Sequence, residues 1–490
     1  MDLRAGRPWA PLLGGAAITT VVALIITLAG SCGPDSPKRQ AKPSPRTSAP
    51  ASPPAPAPPV PSPASTPVPF VAPGYSPLKP VIGDNFADPA VIKVGATYYA
   101  YGTNNGDASM PVATAPSPTG PWIKAPADGL AQLPSWADAG WTWAPEVVPP
   151  QPGSRTYLLY FSARRKGEDA QCIGVATAVS PAGPFVPVAG DPLVCPLDLG
   201  GAIDPASHID ADGTRYLLYK TDARESAAIY LMRLTPDGLR PAETAKRILG
   251  RGKDEPVLVE APDLVRRGGK YVLLYSAGWY FKSNYQTRYA VASSINGPYE
   301  KAGRVVQSTG AYGGKIEGPG SADVLSDESG DHLVFHGIQD YLGGSKVNRG
   351  MYVTPLAWDG TRPVIRGIAA RYEAERARLN GCASTFKRPR ASGDKAIGPF
   401  DRDGCLVEVP VFVAGTGSYS VKIGYANRSG NASRFELTAN GAGPRTVRLR
   451  ESGGDDWPST TAEVQLKPGW NTLGLRRLDG RGQIDYLEVR

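Results

Sequence analysis

Carboxylates next to proline recur through the middle of this 490-residue chain and set the first question. Asp88, Glu146, Asp204, Glu260 and Glu317 each open a segment in which an acidic residue near Pro is followed by a hydrophobic pair, a turn and an alternating aromatic run. The prolines are Pro89, Pro145, Pro205, Pro262 and Pro319, spaced 56, 60, 57 and 57 residues apart. Clustering like charges is costly unless the cluster is used, because each buried carboxylate disfavours its neighbour's ionisation. Two carboxylates with opposite protonation states are what general acid–base hydrolysis needs. The spacing therefore predicts one acid/base site assembled from several repeats.

The elements that must position these acids follow from the same repeat. FADPAVIKVGATYYAYGT, WAPEVVPPQPGSRTYLLYFS, AIDPASHIDADGTRYLLYKT, VEAPDLVRRGGKYVLLYSAG and EGPGSADVLSDESGDHLVFHG read as two-residue-period strands joined by Gly, Pro and Asp turns. A second motif follows three of them, in VATAPSPTGPW, VATAVSPAGPF and VASSINGPY. About four strands per unit of near 57 residues is the repeat of a propeller blade. Residues 75–370 are expected to form a five-bladed β-propeller whose first strands line the axis, so that the five acids converge at one end of it.

The order Asp88-Pro, Trp143-Ala-Pro-Glu146, Ile203-Asp204-Pro205, Glu260-Ala-Pro and a late His336 resembles glycoside hydrolase family 43. The resemblance covers residues 75–370. It implies inverting hydrolysis of arabinofuranosyl or xylosyl linkages, with Asp88 as general base, Glu260 as general acid and Asp204 orienting the acid and setting its pKa. On this reading Glu260 is the raised carboxyl and Asp88 stays ionised through donors the sequence does not identify. The resemblance further implies a sugar contact at Arg349 and calcium near His336; His208 and His332 read as structural. Trp143, Trp279 and Tyr280, beside the motif strands, are candidate sugar-stacking walls, and Glu146 and Glu317 line the same end of the axis. No cofactor is needed for the chemistry.

Residues 371–490 read as a separate β-sandwich, a jelly roll, from alternating runs such as YSVKIGYAN and RFELTANG. Its YEAE opening, GWNTLGL and IDYLEV ending resemble carbohydrate-binding modules of families 6 and 35. That resemblance implies a structural Ca²⁺ ion held by Glu373, Glu375 and Asp485, and sugar contacts at Trp457 and Asn471.

Charge and cysteine usage bound the setting. The net charge of +8 divides into +4 for residues 1–69, +5 for 371–490 and −1 for the centre, so the centre has no basic groove for nucleic acid. Arg4 and Arg7 precede an uncharged apolar stretch ending in Leu28-Ala29-Gly30-Ser31-Cys32, which resembles a bacterial lipobox. Residues 1–33 are read as a signal peptide or anchor with lipidation at Cys32, and 34–74, rich in Pro, as a linker. The protein is expected outside the cell membrane, tethered or secreted, monomeric, touching membrane only through its amino terminus and acting on a polysaccharide. An even set of four further cysteines suits an oxidising compartment, with Cys172–Cys195 and Cys382–Cys405 the favoured bridges.

Overall fold

The computed structural model describes residues 75–223, 227–453 and 456–490. The signal or anchor segment, Cys32 and the whole of the Pro-rich linker lie outside the described residues.

Five four-stranded antiparallel sheets follow one another, each in simple sequential order. Their first strands are Ala90–Val94, Ala137–Val148, Ala202–Ile209, Val259–Arg267 and Glu317–Asp327. Their second strands are Thr97–Tyr101, Tyr157–Arg165, Arg215–Thr221, Lys270–Ala277 and Gly330–Gly343. Residues of all five first strands line one narrow central cavity of about 40 Å³, so these sheets are the blades of a propeller with their first strands inward. The tyrosine-rich second strands fill the spaces between blades: Tyr101, Tyr160 and Tyr275 are fully buried. Such large rings bury much apolar area per residue and hold neighbouring blades together.

The ring closes through its first residues. Val81 and Phe86 donate backbone N–H groups to the carbonyls of Met351 and Arg349 on Lys346–Asp359, the third strand of blade five. This main-chain pairing brings the start of blade one against the end of blade five.

In the carboxyl-terminal part, a sheet of six strands and a sheet of five enclose one core that includes Val409, Val421, Phe435, Leu473 and Leu487. Alternation along Leu406–Val413 and Gly417–Ala426 sends one side chain in two into that core, as expected for a sandwich. Both expected disulfides are present, with Cα atoms 4.6 Å apart for Cys172–Cys195 and 5.1 Å apart for Cys382–Cys405.

Candidate active site

Each blade has one residue in the left-handed region within or just before its inner strand: Asp88 (φ 49°), Ala144 (φ 45°), Asp204 (φ 54°), Ala261 (φ 47°) and Ser321 (φ 50°). A non-glycine residue there costs about 1 kcal/mol or more, and five at one register mark a backbone feature the fold imposes. The ladder shifts register at this point in blades two to five, as a β-bulge does.

The bulge corrects the simple picture of five equivalent acids. Only Asp88 and Asp204 occupy the left-handed position. Glu260 precedes it by one residue, at the register of Trp143, Ile203 and Gly320. Glu146 follows it by two, at the register of Asp263 and Asp323. In blade five the equivalent triplet is Ser321-Ala322-Asp323, not the one around Pro319. Glu317 lies upstream, where it accepts the Tyr341 hydroxyl at 2.8 Å, away from the axial layer.

A bulge leaves a backbone N–H outside the ladder, and a polar side chain on, or in blade one just after, the second strand of the preceding blade accepts it. Thr103 Oγ1 takes the N–H of Ala144 at 3.0 Å, Ser162 Oγ that of Asp204 at 3.1 Å, Ser276 Oγ that of Ser321 at 2.8 Å, and His336 Nδ1 that of Asp88 at 3.2 Å. Blade three is the exception. Its residue at this register is Lys220, a donor only, and the N–H of Ala261 goes instead to Asp204 Oδ2 at 2.9 Å.

The donors that keep Asp88 ionised are now visible. Arg349 Nη1 lies 2.8 Å from Oδ1 and Thr103 Oγ1 donates to Oδ2 at 2.6 Å. Burial pushes the Asp88 carboxyl up, but the Arg349 guanidinium above all, with the Thr103 hydroxyl, outweighs it and holds it well below the usual carboxylate range. Tyr280 covers the same arginine, its ring centroid 4.7 Å from the guanidinium carbon.

Asp204 is in the opposite state. Burial, then the charge of Glu260, pushes its carboxyl well above the ordinary value, against the pull of Lys220. Glu260 does not stand among anions alone, as the sequence reading had it: Lys220 Nζ is 3.2 Å from its Oε2 and 2.8 Å from Asp222 Oδ1. The raised carboxyl is therefore Asp204. Tyr285, buried and stacked 5.6 Å from His336, feels all three carboxylates. It enters because blade five has Gly320 at the Glu260 register, where a Cβ would come within 2.3 Å of the Tyr285 ring.

Glu146, Asp263 and Asp323 form a second layer along the channel. Each accepts a backbone N–H of the following blade: Ser207 at 3.0 Å, Val324 at 3.1 Å and Val91 at 3.1 Å. Burial, then Asp323, pushes Glu146 up to about 8. This layer joins blades, and Glu146, a candidate sugar contact by its place at the end of the axis, is held in it by Ser207.

Aromatic side chains surround the catalytic level. Trp143 tilts against Trp141, centroids 5.8 Å apart, and Trp141 is 41% exposed. Phe281 packs on both Trp279 and Tyr280, at 5.6 and 5.2 Å. The channel cavity of about 40 Å³ is far too small for a sugar ring. A cavity of about 390 Å³ between blades two and three, beside Trp136 and Arg240, touches none of the three carboxylates.

His336 is fully buried, and burial and Arg349 push it down to about 4, so it is neutral. Its Nε2 has no partner. His208 Nδ1 bonds the Leu264 carbonyl at 2.9 Å and His332 is buried between strands, both as structural residues. In the sandwich, Ser392 ties Asp485 Oδ1 to Glu373 Oε1, while Glu373 Oε2 and Glu375 Oε2 are buried without partners. Two such unpartnered carboxylate oxygens beside Asp485 are donors of the kind a hard cation takes. Asn471 is 3% exposed and its amide is committed to Asn440, Lys467 and Gly469, so it offers no free group to a sugar. Trp457 is half-buried, and Trp470, 59% exposed against Phe412, is the open aromatic on this domain.

Residues 77–362 match glycosyl hydrolases family 43, and residues 370–490 match the carbohydrate binding module (family 35). The chain belongs to glycosyl hydrolases family 43. Among curated members it is 28% identical to beta-D-galactofuranosidase xynD of Aspergillus niger, over 52% of this chain and 75% of that protein. It is likewise 28% identical to arabinoxylan arabinofuranohydrolase of Bacillus subtilis, over 50% of each; the chain thus spans about half the length of that relative. The crystal structure of endo-1,4-beta-xylanase from Bacteroides thetaiotaomicron covers 59% of this chain and 97% of its own, at 24% identity and a TM-score of 0.50. That likeness speaks for the family 43 propeller fold. The protein is a glycoside hydrolase acting on O-glycosyl bonds, with a polysaccharide as the substrate class its two domains imply.

Proposed function

We propose that this family 43 hydrolase cleaves arabinofuranosyl or related pentosyl linkages with inversion, as an α-L-arabinofuranosidase exported and tethered outside the cell membrane. The observation that carries the chemistry is the split between Asp88, held ionised by Arg349 and Thr103, and Asp204, whose buried carboxyl is pushed well above the ordinary value beside Glu260. Glu260 gives its proton to the leaving oxygen as the C1–O bond breaks. Asp88 takes a proton from the water that attacks C1 from the other face. Asp204, fixed by the Ala261 N–H, holds Glu260 in place and keeps a proton in the pair.

The arabinoxylan-acting relative supports the pentosyl reading, and the galactofuranosidase relative supports a second one, a hexofuranoside of the same ring size. Calcium fits the Glu373–Glu375–Asp485 cluster by its orphaned oxygens. At His336 it would require the tautomer with a free Nε2 lone pair, in which Nδ1–H turns to Asp88 Oδ1, 3.2 Å away.

Aryl α-L-arabinofuranoside, β-D-xyloside, β-D-galactofuranoside and β-D-galactopyranoside, assayed side by side, decide the substrate. Fastest release from the arabinofuranoside is expected. Fastest release from either galactoside would overturn the pentosyl reading, and binding of arabinan with no release from any would favour a non-catalytic glycan-binding propeller.

A further inference from the structure

Lys220 breaks a rule that the other four blades keep. At the second-strand register opposite the bulge stand Thr103, Ser162, Ser276 and His336, each an acceptor for the next blade's freed N–H. An ammonium has three donors and no lone pair, so it cannot serve. Two consequences follow at this one blade junction. The Ala261 N–H is left to Asp204 Oδ2, which fixes the Asp204 carboxylate beside the residue that follows Glu260. A cation also enters the only junction that carries the proposed acid, 3.2 Å from Glu260 Oε2.

We propose that Lys220 is a positioning residue for proton delivery: by replacing an acceptor it recruits Asp204 to the Ala261 N–H, and its ammonium stabilises Glu260 as the carboxylate forms. This rests on Glu260 being the general acid. As the proton passes to the glycosidic oxygen, negative charge grows on Glu260 next to a fixed positive charge, in surroundings where Lys220 is 3% exposed and cannot be replaced by water. Asp222 Oδ1, at 2.8 Å, gives the ammonium a partner while Glu260 holds its proton. The groups facing this junction are Asp204 from blade three, Asp222 after its second strand, Asp88 from blade one and Tyr285 from the loop of blade four. Burial opposes the charge on Lys220, but Glu260, Asp222 and Asp204 outweigh it and keep the ammonium protonated.

The test is the pH dependence of kcat/KM of the full chain on an oligosaccharide, whose leaving group needs a proton. An opposite charge within hydrogen-bond reach lowers a carboxyl's pKa by about 1–3 units, so Lys220→Met should move the basic limb upward by about that much. It should also slow the optimum rate about tenfold, part of the 10²–10⁴ that acid catalysis supplies. Removing one partner of a buried ion pair destabilises, so Lys220→Ser, which restores the acceptor of the other blades, supplies a variant that keeps the junction and should show the same shifted limb. Lys220→Arg should keep the wild-type limb. An unmoved limb in the Met and Ser variants, or an Arg variant that shifts like Met, overturns the role of Lys220. Glu260→Gln on the same oligosaccharide and on an aryl glycoside separates the two readings. Greater loss on the oligosaccharide upholds Glu260 as acid whatever Lys220 does, and equal loss on both removes Glu260 and this inference together.

Discussion

Asp88 and Arg349 stand 261 positions apart in the chain and 2.8 Å apart in space. The pairing exists because the ring closes there: Phe86 N–H binds the Arg349 carbonyl and Asn85 Oδ1 accepts the Arg349 N–H. Closure of the propeller and ionisation of the base are therefore one event, and a protein whose ring opened at this seam would lose the carboxylate's main cation.

Arg349→Gln should let the Asp88 carboxyl rise. The folded carboxyl lies well below its ordinary value in the wild type, so the acidic limb of kcat/KM set by Asp88 lies below the usual assay range. Without the guanidinium, burial is opposed mainly by the Thr103 hydroxyl and that limb should move upward, read on an activated aryl glycoside from the lowest pH at which the protein stays folded. A higher KM at every pH with no change in the limb would mean that Arg349 binds sugar and does not set the base.

The second carboxylate layer predicts a pH-dependent stability. Burial, then Asp323, pushes Glu146 up to about 8 from an ordinary 4.5. A folded carboxyl with a raised pKa keeps its proton where the unfolded one has lost it, so its contribution to stability falls as pH rises from about 4.5 to 8. Glu146→Gln still accepts the Ser207 N–H and has nothing to ionise. Its Tm relative to wild type should therefore be higher at pH 8 than at pH 5, by about 2–4 °C for each kcal/mol relieved. An equal difference at both pH values would show that the layer is not protonated in the fold.

Calcium at the Glu373–Glu375–Asp485 cluster should appear as a chelator-sensitive unfolding transition. Burial, then repulsion from Glu373 and Glu375, pushes Asp485 up to about 6, a repulsion a bound cation would relieve. At a hundred times its Kd a ligand stabilises by about 2.7 kcal/mol, so EDTA should lower the Tm of the wild type measurably and leave Glu375→Gln unchanged. Equal Tm values with and without EDTA would remove calcium from this cluster.

The repeat was legible because blades are local: each YLLYFS-like run and its proline segment fold beside one another in sequence. The offsets between Asp204, Glu260 and Glu146 were not, because a bulge displaces register without changing which residues recur. Lys220 stands fifth in YLLYKT, one place short of Ser162 in YLLYFS and Ser276 in YVLLYS. Only the pairing of Lys220 with Ile203, of Ser162 with Trp143 and of Ser276 with Glu260 makes the three equivalent, and the meaning of Lys220 depends on a backbone N–H that the left-handed residue of the next blade exposes. Arg349 reaches Asp88 through ring closure, a contact of the longest range, which no local pattern encodes. Asn471 misled for the opposite reason: an Asn in a loop binds sugars or its own turn equally well in sequence, and here its amide binds the turn.

The most direct measurement of the central claim is the configuration of the first product. Proton NMR of a fresh hydrolysis, recorded before mutarotation, should show the released sugar with its anomeric configuration inverted, because water activated at Asp88 attacks the face opposite the departing group. Retention would mean that a carboxylate of this site forms a covalent glycosyl intermediate, and the division of labour between Asp88 and Glu260 would be wrong.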